Sequence, residues 1–248
     1  MSAVILALIA GAVIGLALGA LGGGGSVLAV PALIYLLGFT PVAATTASLV
    51  IVTVTSATAL SAHARDGRVR WRTGLLFAAA GIGPAMLGGA LAGRLPAAVL
   101  AVSFAVVAAV AAIRMLRHPP EPGTAPPVRP LRTAAAGAGL GAVTGVLGVG
   151  GGFLAVPALV GVLGMRMRAA VGTSLLVITV NSLAALAVRA GTANGLDWTV
   201  IGPFAGAAIL GAWDGKRLSA KLPGDTLRRV FALVLLAVAG FMLVDAVV

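Results

Sequence analysis

Cysteine is absent from the 248 residues, which excludes disulfides, thiolate metal sites and thiol relays. Acidic side chains are scarce. There are six, Asp66, Glu121, Asp197, Asp214, Asp225 and Asp245, and each falls in a loop or near the end of an apolar run. No carboxylate pair lies mid-span, where proton and sodium carriers often place one, so cation movement is not read as the primary task. Asp214, in the run GAWDGKRL, reads as a partner of Lys216 or Arg217 at a cytoplasmic edge. Histidine occurs twice, and His63 and His118 both read at or beyond span ends among arginines, poor positions for a metal centre or proton relay. Aromatics make up 4% of the chain, and Trp71, Trp198 and Trp213 fall near span boundaries as interfacial anchors. No nucleophile–base pair or ligand set is visible at depth, so neither an enzyme nor a cofactor is read here.

What is present is apolar surface. Sixty per cent of the residues are hydrophobic and nine per cent charged, with a mean hydropathy of +1.13. A water-soluble domain cannot hide that much. Apolar runs of about 17 to 22 residues recur, enough to cross about 30 Å of hydrocarbon. The chain therefore reads as an all-α polytopic membrane protein whose surrounding partner is the lipid bilayer. Met1 to Ala20 lacks a basic leader and reads as a retained span rather than a cleaved signal. The net charge of +11 is gathered at the ends of apolar runs, pointing to cytoplasmic loops and not to nucleic acid.

The chain also repeats itself. Residues 15–33 read GLALGALGGGGSVLAVPAL and residues 141–159 read GAVTGVLGVGGGFLAVPAL, with 12 of 19 positions identical at an offset of 126. The echo continues through Leu37-Gly38 and Leu163-Gly164, Ala43-Ala44 and Ala169-Ala170, and Ser48-Leu49 and Ser174-Leu175. It resumes at an offset of 127, pairing Trp71 with Trp198 and Leu95-Pro96 with Leu222-Pro223. Duplicated hydrophobic units broken by Gly and Pro suggest a secondary transporter with its site where two structural repeats meet.

Each half divides into about five hydrophobic segments, 2–21, 26–38, 44–62, 73–92 and 96–116, then 133–149, 153–165, 170–188, 198–213 and 228–248. The second of each half is short and carries a proline, Pro31 or Pro157. The expected organisation is a first repeat over 1–116, a proline-rich linker over 117–132 and a second repeat over 133–248. Charge decides between two topologies. If the short segments cross, the repeats are inverted, and the 17 basic residues divide 15 inside to 2 outside, only Arg94 and Arg189 being external. If they dip and return, the repeats are parallel and the division is 9 to 8. The positive-inside bias favours inverted repeats, both termini outside and the linker cytoplasmic. Whether the short segments cross fully is left open.

The candidate chemistry lies where glycines open into the short helices: Gly22-Gly23-Gly24-Gly25-Ser26 and Gly148-Val149-Gly150-Gly151-Gly152. Helix N-termini expose unpaired N–H groups and about half a positive charge, and glycine admits a ligand to the backbone. The competing reading is close helix packing, which Gly11, Gly15 and Gly19 serve. The following helix of each half begins with hydroxyls, Thr45, Thr46 and Ser48 in one, Thr173 and Ser174 in the other. Further along, Thr53, Thr55 and Ser56 are mirrored by Thr179, Asn181 and Ser182. Hydroxyls and amides can replace the water around an oxyanion, while the plainer alternative is capping and interhelical bonding. The candidate anion site comprises Gly22, Gly24, Gly25, Ser26, Thr45, Thr46, Ser48, Gly148, Gly150, Gly151, Gly152, Thr173, Ser174 and Asn181.

These paired blocks resemble the sulfite exporter TauE/SafE family of membrane transporters. Gly141, Gly145, Leu147, Gly148, Gly150, Gly151 and Gly152, followed by Pro157 and Leu159, fit the pattern. The first copy fits at Gly15, Gly19, Leu21, Gly22, Gly24, Gly25, Pro31 and Leu33, with Ser26 in place of the third glycine. Thr173-Ser174-Leu175 matches the next helix start better than Ala47-Ser48-Leu49. The resemblance implies movement of small sulfur-containing or organic anions across a bacterial inner membrane. It leaves the anion, direction, coupling ion and self-association open. The alternative is a membrane scaffold or assembly factor that transports nothing.

Overall fold

The computed structural model describes residues 2–92, 96–117, 129–147, 152–188 and 197–247. Among them the structure is helical, without strands: α1 (Ser2–Leu21), α2 (Gly24–Pro31), α3 (Pro41–Arg65), α4 (Trp71–Ala92), α5 (Ala97–Arg117), α6 (Pro130–Leu147), α7 (Gly152–Gly161), α8 (Met167–Val188), α9 (Trp198–Lys221) and α10 (Gly224–Val247). The all-α polytopic class is thereby found. Four helices, α1, α3, α8 and α10, carry stretches long and apolar enough to cross a membrane by length and composition.

Local chemistry explains the boundaries. Helix α3 begins with Pro41 behind Thr40, whose hydroxyl accepts from the Ala43 N–H at 3.4 Å. Asp197 caps α9 in the same way, accepting from the Thr199 N–H at 3.0 Å. Helix α2 continues past Pro31 as a wider π turn over Ala32–Leu36, whereas α7 stays α-helical past the matched Pro157. The two short helices then end identically. Gly38 and Gly164, 126 positions apart, hold φ of +69° and +65°. Each donates to the carbonyl four residues back, Ile34 and Val160, and the next N–H returns to Leu33 and Leu159. Matched glycine C-caps of this kind require a left-handed residue.

Helix α9 runs eight residues beyond the expected end at 213. The charges of its last turns suggested a loop, but they are accommodated at the rim of the bundle. Lys216 Nζ reaches Asp66 Oδ2 at 2.9 Å, while Asp214 and Arg217 form an exposed pair at 3.6 Å.

Packing is also paired between the halves. The first helix of each half lies on the fourth helix of the other, α1 on α9 and α6 on α4. Likewise α3 packs on α8, α5 on α10 and α2 on α7. Glycine makes the first two contacts possible. A Cβ on Gly11, Gly15 or Gly19 would strike the carbonyl oxygens of Phe204, Ala208 and Ala212; one on Gly137, Gly141 or Gly145 would strike those of Phe77, Gly81 and Ala85. Both sequences rise together in steps of four, so each pair is parallel. The third helices behave differently. Ser56 meets Thr179, whereas Gly172 lies beside Arg68, just past the end of α3, so α3 and α8 cross antiparallel.

Candidate functional site

The short helices begin deep in the bundle, and their N-terminal ends face one another. Gly22 closes α1 with φ of +79°, its N–H donating to the Leu18 carbonyl at 2.8 Å. A side chain there would strike the Ser174 hydroxyl and lie 3.1 Å from the Val171 carbonyl. A side chain on Gly23 would strike the carbonyl of Gly152, the first residue of α7, and lie 2.8 Å from Phe153 Cα. The turn leading into α2 therefore presses on the start of α7 and the second turn of α8. Gly24 and Ser26 occupy the first turn of α2, where backbone N–H groups have no intrahelical acceptor.

The expected site residues are not all brought to one place. Gly22, Gly152 and Ser174 are brought together, and Thr173 joins them at its edge: fully buried, it accepts from the Arg70 N–H at 3.1 Å. Gly25 is at the same place but faces backwards, since a Cβ would sit 2.5 Å from the Ile14 carbonyl and 2.6 Å from Leu18 Cβ. Its missing side chain serves the α1–α2 contact. Thr45, Thr46 and Ser48 form the opening turns of α3, with Ser48 Oγ donating to the Thr45 carbonyl at 2.8 Å. Asn181 stands two turns beyond Ser174, about 10 Å along α8. Gly148, Gly150, Gly151, Arg94, Arg189, His118 and linker residues 118–128 lie outside the described residues.

Sequence reasoning undervalued two features. His63 was placed at a span end, yet it is only 1% exposed, with Nε2 3.1 Å from the Gly19 carbonyl oxygen. Helices α1 and α9 cover α3 down to its last turn, so the arginines nearby do not make His63 a surface residue. Its bond falls on one of the final carbonyls of α1, beside the glycine turn. The second feature is the hydroxyl cluster at the α3–α8 crossing. Thr179 Oγ1 lies 2.9 Å from Ser56 Oγ, and the repeat alignment of Thr53, Thr55 and Ser56 with Thr179, Asn181 and Ser182 was the available signal.

Most charge is exposed at the rim, while Arg228 of α10, paired with Asp225 at 3.4 Å, is only 6% exposed. Asp66, after the end of α3, binds Lys216, which holds its carboxyl below the usual carboxylate range, with Arg68 3.5 Å away assisting. Among the described residues no group of three His, Asp or Glu side chains is placed to hold a metal ion. Among the described residues the arrangement offers backbone N–H groups and glycine access near one level and hydroxyl oxygens at another.

Known proteins resemble this chain along almost its whole length. The family model described as sulfite exporter TauE/SafE matches residues 7–242. A probable membrane transporter protein of Xylella fastidiosa (strain 9a5c) is 34% identical over 244 residues, covering 94% of this chain and 92% of the relative. Its counterpart in Xylella fastidiosa (strain Temecula1 / ATCC 700964) is 35% identical with the same coverage. One from Haemophilus influenzae (strain ATCC 51907 / DSM 11121 / KW20 / Rd) is 27% identical over 255 residues, 95% of this chain and 96% of the relative. No solved structure gives a significant match. With its helical bundle matched almost end to end, the chain belongs to the sulfite exporter TauE/SafE family and is a multi-pass membrane transporter.

Proposed function

We propose that this transporter exports a small anion of the sulfite and sulfonate class by alternating access between two inverted repeats. These are residues 1–116 and 133–248, joined by a linker (117–132) on the cytoplasmic side of a bacterial inner membrane. The contact of the two short-helix starts, Gly23 against Gly152, carries the reading. Two helix N-termini converging inside an apolar bundle sum their partial positive charges and present N–H donors without a resident cation that would trap the substrate. Gly24, Ser26 and Gly152 supply donors, as do Gly150 and Gly151 in the sequence pattern, with Ser174 and Thr173 alongside. The antiparallel α3–α8 crossing supports inversion, because repeats related by an axis along the membrane normal would set equivalent helices parallel.

Thermal stability of the purified protein against matched concentrations of sulfite, sulfoacetate, thiosulfate, sulfate, lactate and phosphate tests the reading. A ligand present at 100 times its Kd, binding only the folded state, adds about 2.7 kcal/mol. Selective stabilisation by a sulfur oxyanion or sulfonate is expected, lost in Gly22→Ala, where a side chain meets both positive φ and the Ser174 hydroxyl. Stabilisation by carboxylates alone would remove the sulfur assignment. An undiminished anion response in Gly22→Ala would remove the site.

A further inference from the structure

Helix α1 ends where α2 begins, and a buried imidazole stands at the joint. His63, in the last turn of α3, is 1% exposed. Its Nε2 lies 3.1 Å from the Gly19 carbonyl oxygen, and a carbonyl only accepts, so Nε2 carries the hydrogen. The neutral ring then has a bare lone pair at Nδ1. That atom is buried and has no hydrogen-bond partner. A buried acceptor left empty is costly and marks a place for something that brings a hydrogen.

The charges around the ring decide what can fill that place. Lys216 of α9 is near, as are Asp66 and Arg68, which follow the end of α3. Asp66 is already engaged, by Lys216 at 2.9 Å and by Arg68 at 3.5 Å. Arg65 and Lys221 are exposed, and the exposed Asp214 of α9 pairs with Arg217. Helices α1 and α2 carry no ionisable side chain, and Arg168, the only one on α8, turns to the Leu222 carbonyl at 2.9 Å. None of these carboxylates is therefore free to balance an imidazolium. A cation in an apolar interior is stable only beside a counter-charge. The end of α1 supplies part of it, because Gly19 holds one of the last carbonyls, where the helix dipole is negative. The remainder is an anion's to supply.

Position brings that anion within reach. Gly19 precedes Gly22 by three residues, about 4.5 Å along α1, and the turn at Gly22 leads into the first N–H groups of α2. We propose that His63 is a proton site linked to anion binding: a proton enters at Nδ1 when an anion occupies the glycine ends, so the transporter takes up both together. The Nε2–H bond to Gly19 is kept throughout, so the ring changes charge without losing its contact. By linkage, an anion that favours the imidazolium binds more tightly as pH falls. This inference rests on the proposed anion site.

The chain has two histidines, so His118→Gln leaves His63 as the single imidazole, and nitrogen NMR of the isotope-labelled ring reads its tautomer and charge directly. The full chain in detergent is titrated between about pH 8 and about pH 6, the range in which an imidazole changes charge. Thiosulfate, sulfoacetate and sulfite are the probes, and the first two exchange no proton in that range. Without anion, a neutral ring with its hydrogen on Nε2 is expected. Bound anion should convert it to imidazolium at a pH where the anion-free ring stays neutral. Anion affinity should tighten at least about fivefold over the same titration. His63→Gln can still donate to the Gly19 carbonyl but cannot titrate, and should bind the anion without that pH dependence. A ring whose charge ignores an anion that raises the melting temperature overturns the proton site and leaves the anion site standing. So does a pH dependence kept in full by His63→Gln, or an Nδ1–H tautomer in the anion-free protein. If His63→Gln does not fold, the NMR titration decides alone. The absence of any melting response to the three anions would remove the proposed substrate class and this linkage with it.

Discussion

The glycine seams and the hydroxyl crossing solve opposite problems with residues of similar size. Along α1–α9 and α4–α6, eight glycines bring backbones together so closely that no Cβ fits, and the nearest atoms are backbone. At α3–α8 the contacting residues are hydroxylated, one interhelical hydrogen bond is made, and three oxygens nearby are left over. Association of helices in lipid comes from close packing and hydrogen bonds, because hydrocarbon already solvates leucine. The seams spend all of that attraction on contact. The crossing withholds some of it, and a surface that keeps unsatisfied groups in reserve is one that a ligand can complete. Tightly seamed pairs beside an incompletely satisfied pair would suit the proposed transport function.

The largest effect should come from breaking a seam. Valine at Gly15 places Cβ against the Ala208 carbonyl, and valine at Gly141 does the same against Gly81, where backbone cannot yield as a side chain would. Each should cost more than about 4 kcal/mol and abolish monodisperse protein on size-exclusion chromatography. Since the contacts are repeat-equivalent, a folded Gly141→Val beside a lost Gly15→Val would show that the seams are unequal. Sharpening the other side, Thr179→Val removes the Ser56 contact at the crossing. Interhelical bonds in membranes average about 0.6 kcal/mol, so a shift of that order in the detergent unfolding midpoint is expected, with folding intact. A seam-sized loss from Thr179→Val would erase the distinction.

The smallest effect belongs to the rim. Asp66 has its folded pKa depressed by Lys216, so the pair stabilises above the ordinary carboxylate pKa and loses that contribution as pH falls through the depressed value. Wild type should lose a little stability on acidification below about pH 4, and Asp66→Asn should flatten that part of the profile. The pair is partly exposed, so its share stays below about 1 kcal/mol and shrinks with added salt.

Much of the fold was legible because duplication and apolar run length are properties of the chain alone. The packing role of Gly11, Gly15 and Gly19 was read from spacing, while Gly38 and Gly164 were visible only as repeat-matched positions, not as turns. What sequence could not convey was partnership. Whether Gly25 meets a ligand or Leu18 depends on which way α2 folds back along α1. Whether His63 is wet or dry depends on how far α1 and α9 extend over α3. The glycine ends were visible, and the structure draws Gly22, Gly23, Gly152 and Ser174 together. The hydroxyls were visible too, but which of them bond a carbonyl and which bond each other needs the helices in place.

The exchange of partners between halves also sets an order in time. Gly141 meets Gly81 across 60 residues of chain, so that seam can close while the second half is still being made. Gly15 must wait for Ala208, 193 positions later. At about 5 to 20 residues per second, that is some 10 to 40 seconds during which α1 sits in the bilayer without its partner. Two seams that are twins in the finished protein are therefore born separately, and the earlier-made helix is the later to be protected. Quality control should see this chain through α1: its exposed glycine face is the part that a protease or an insertion chaperone meets before assembly is complete.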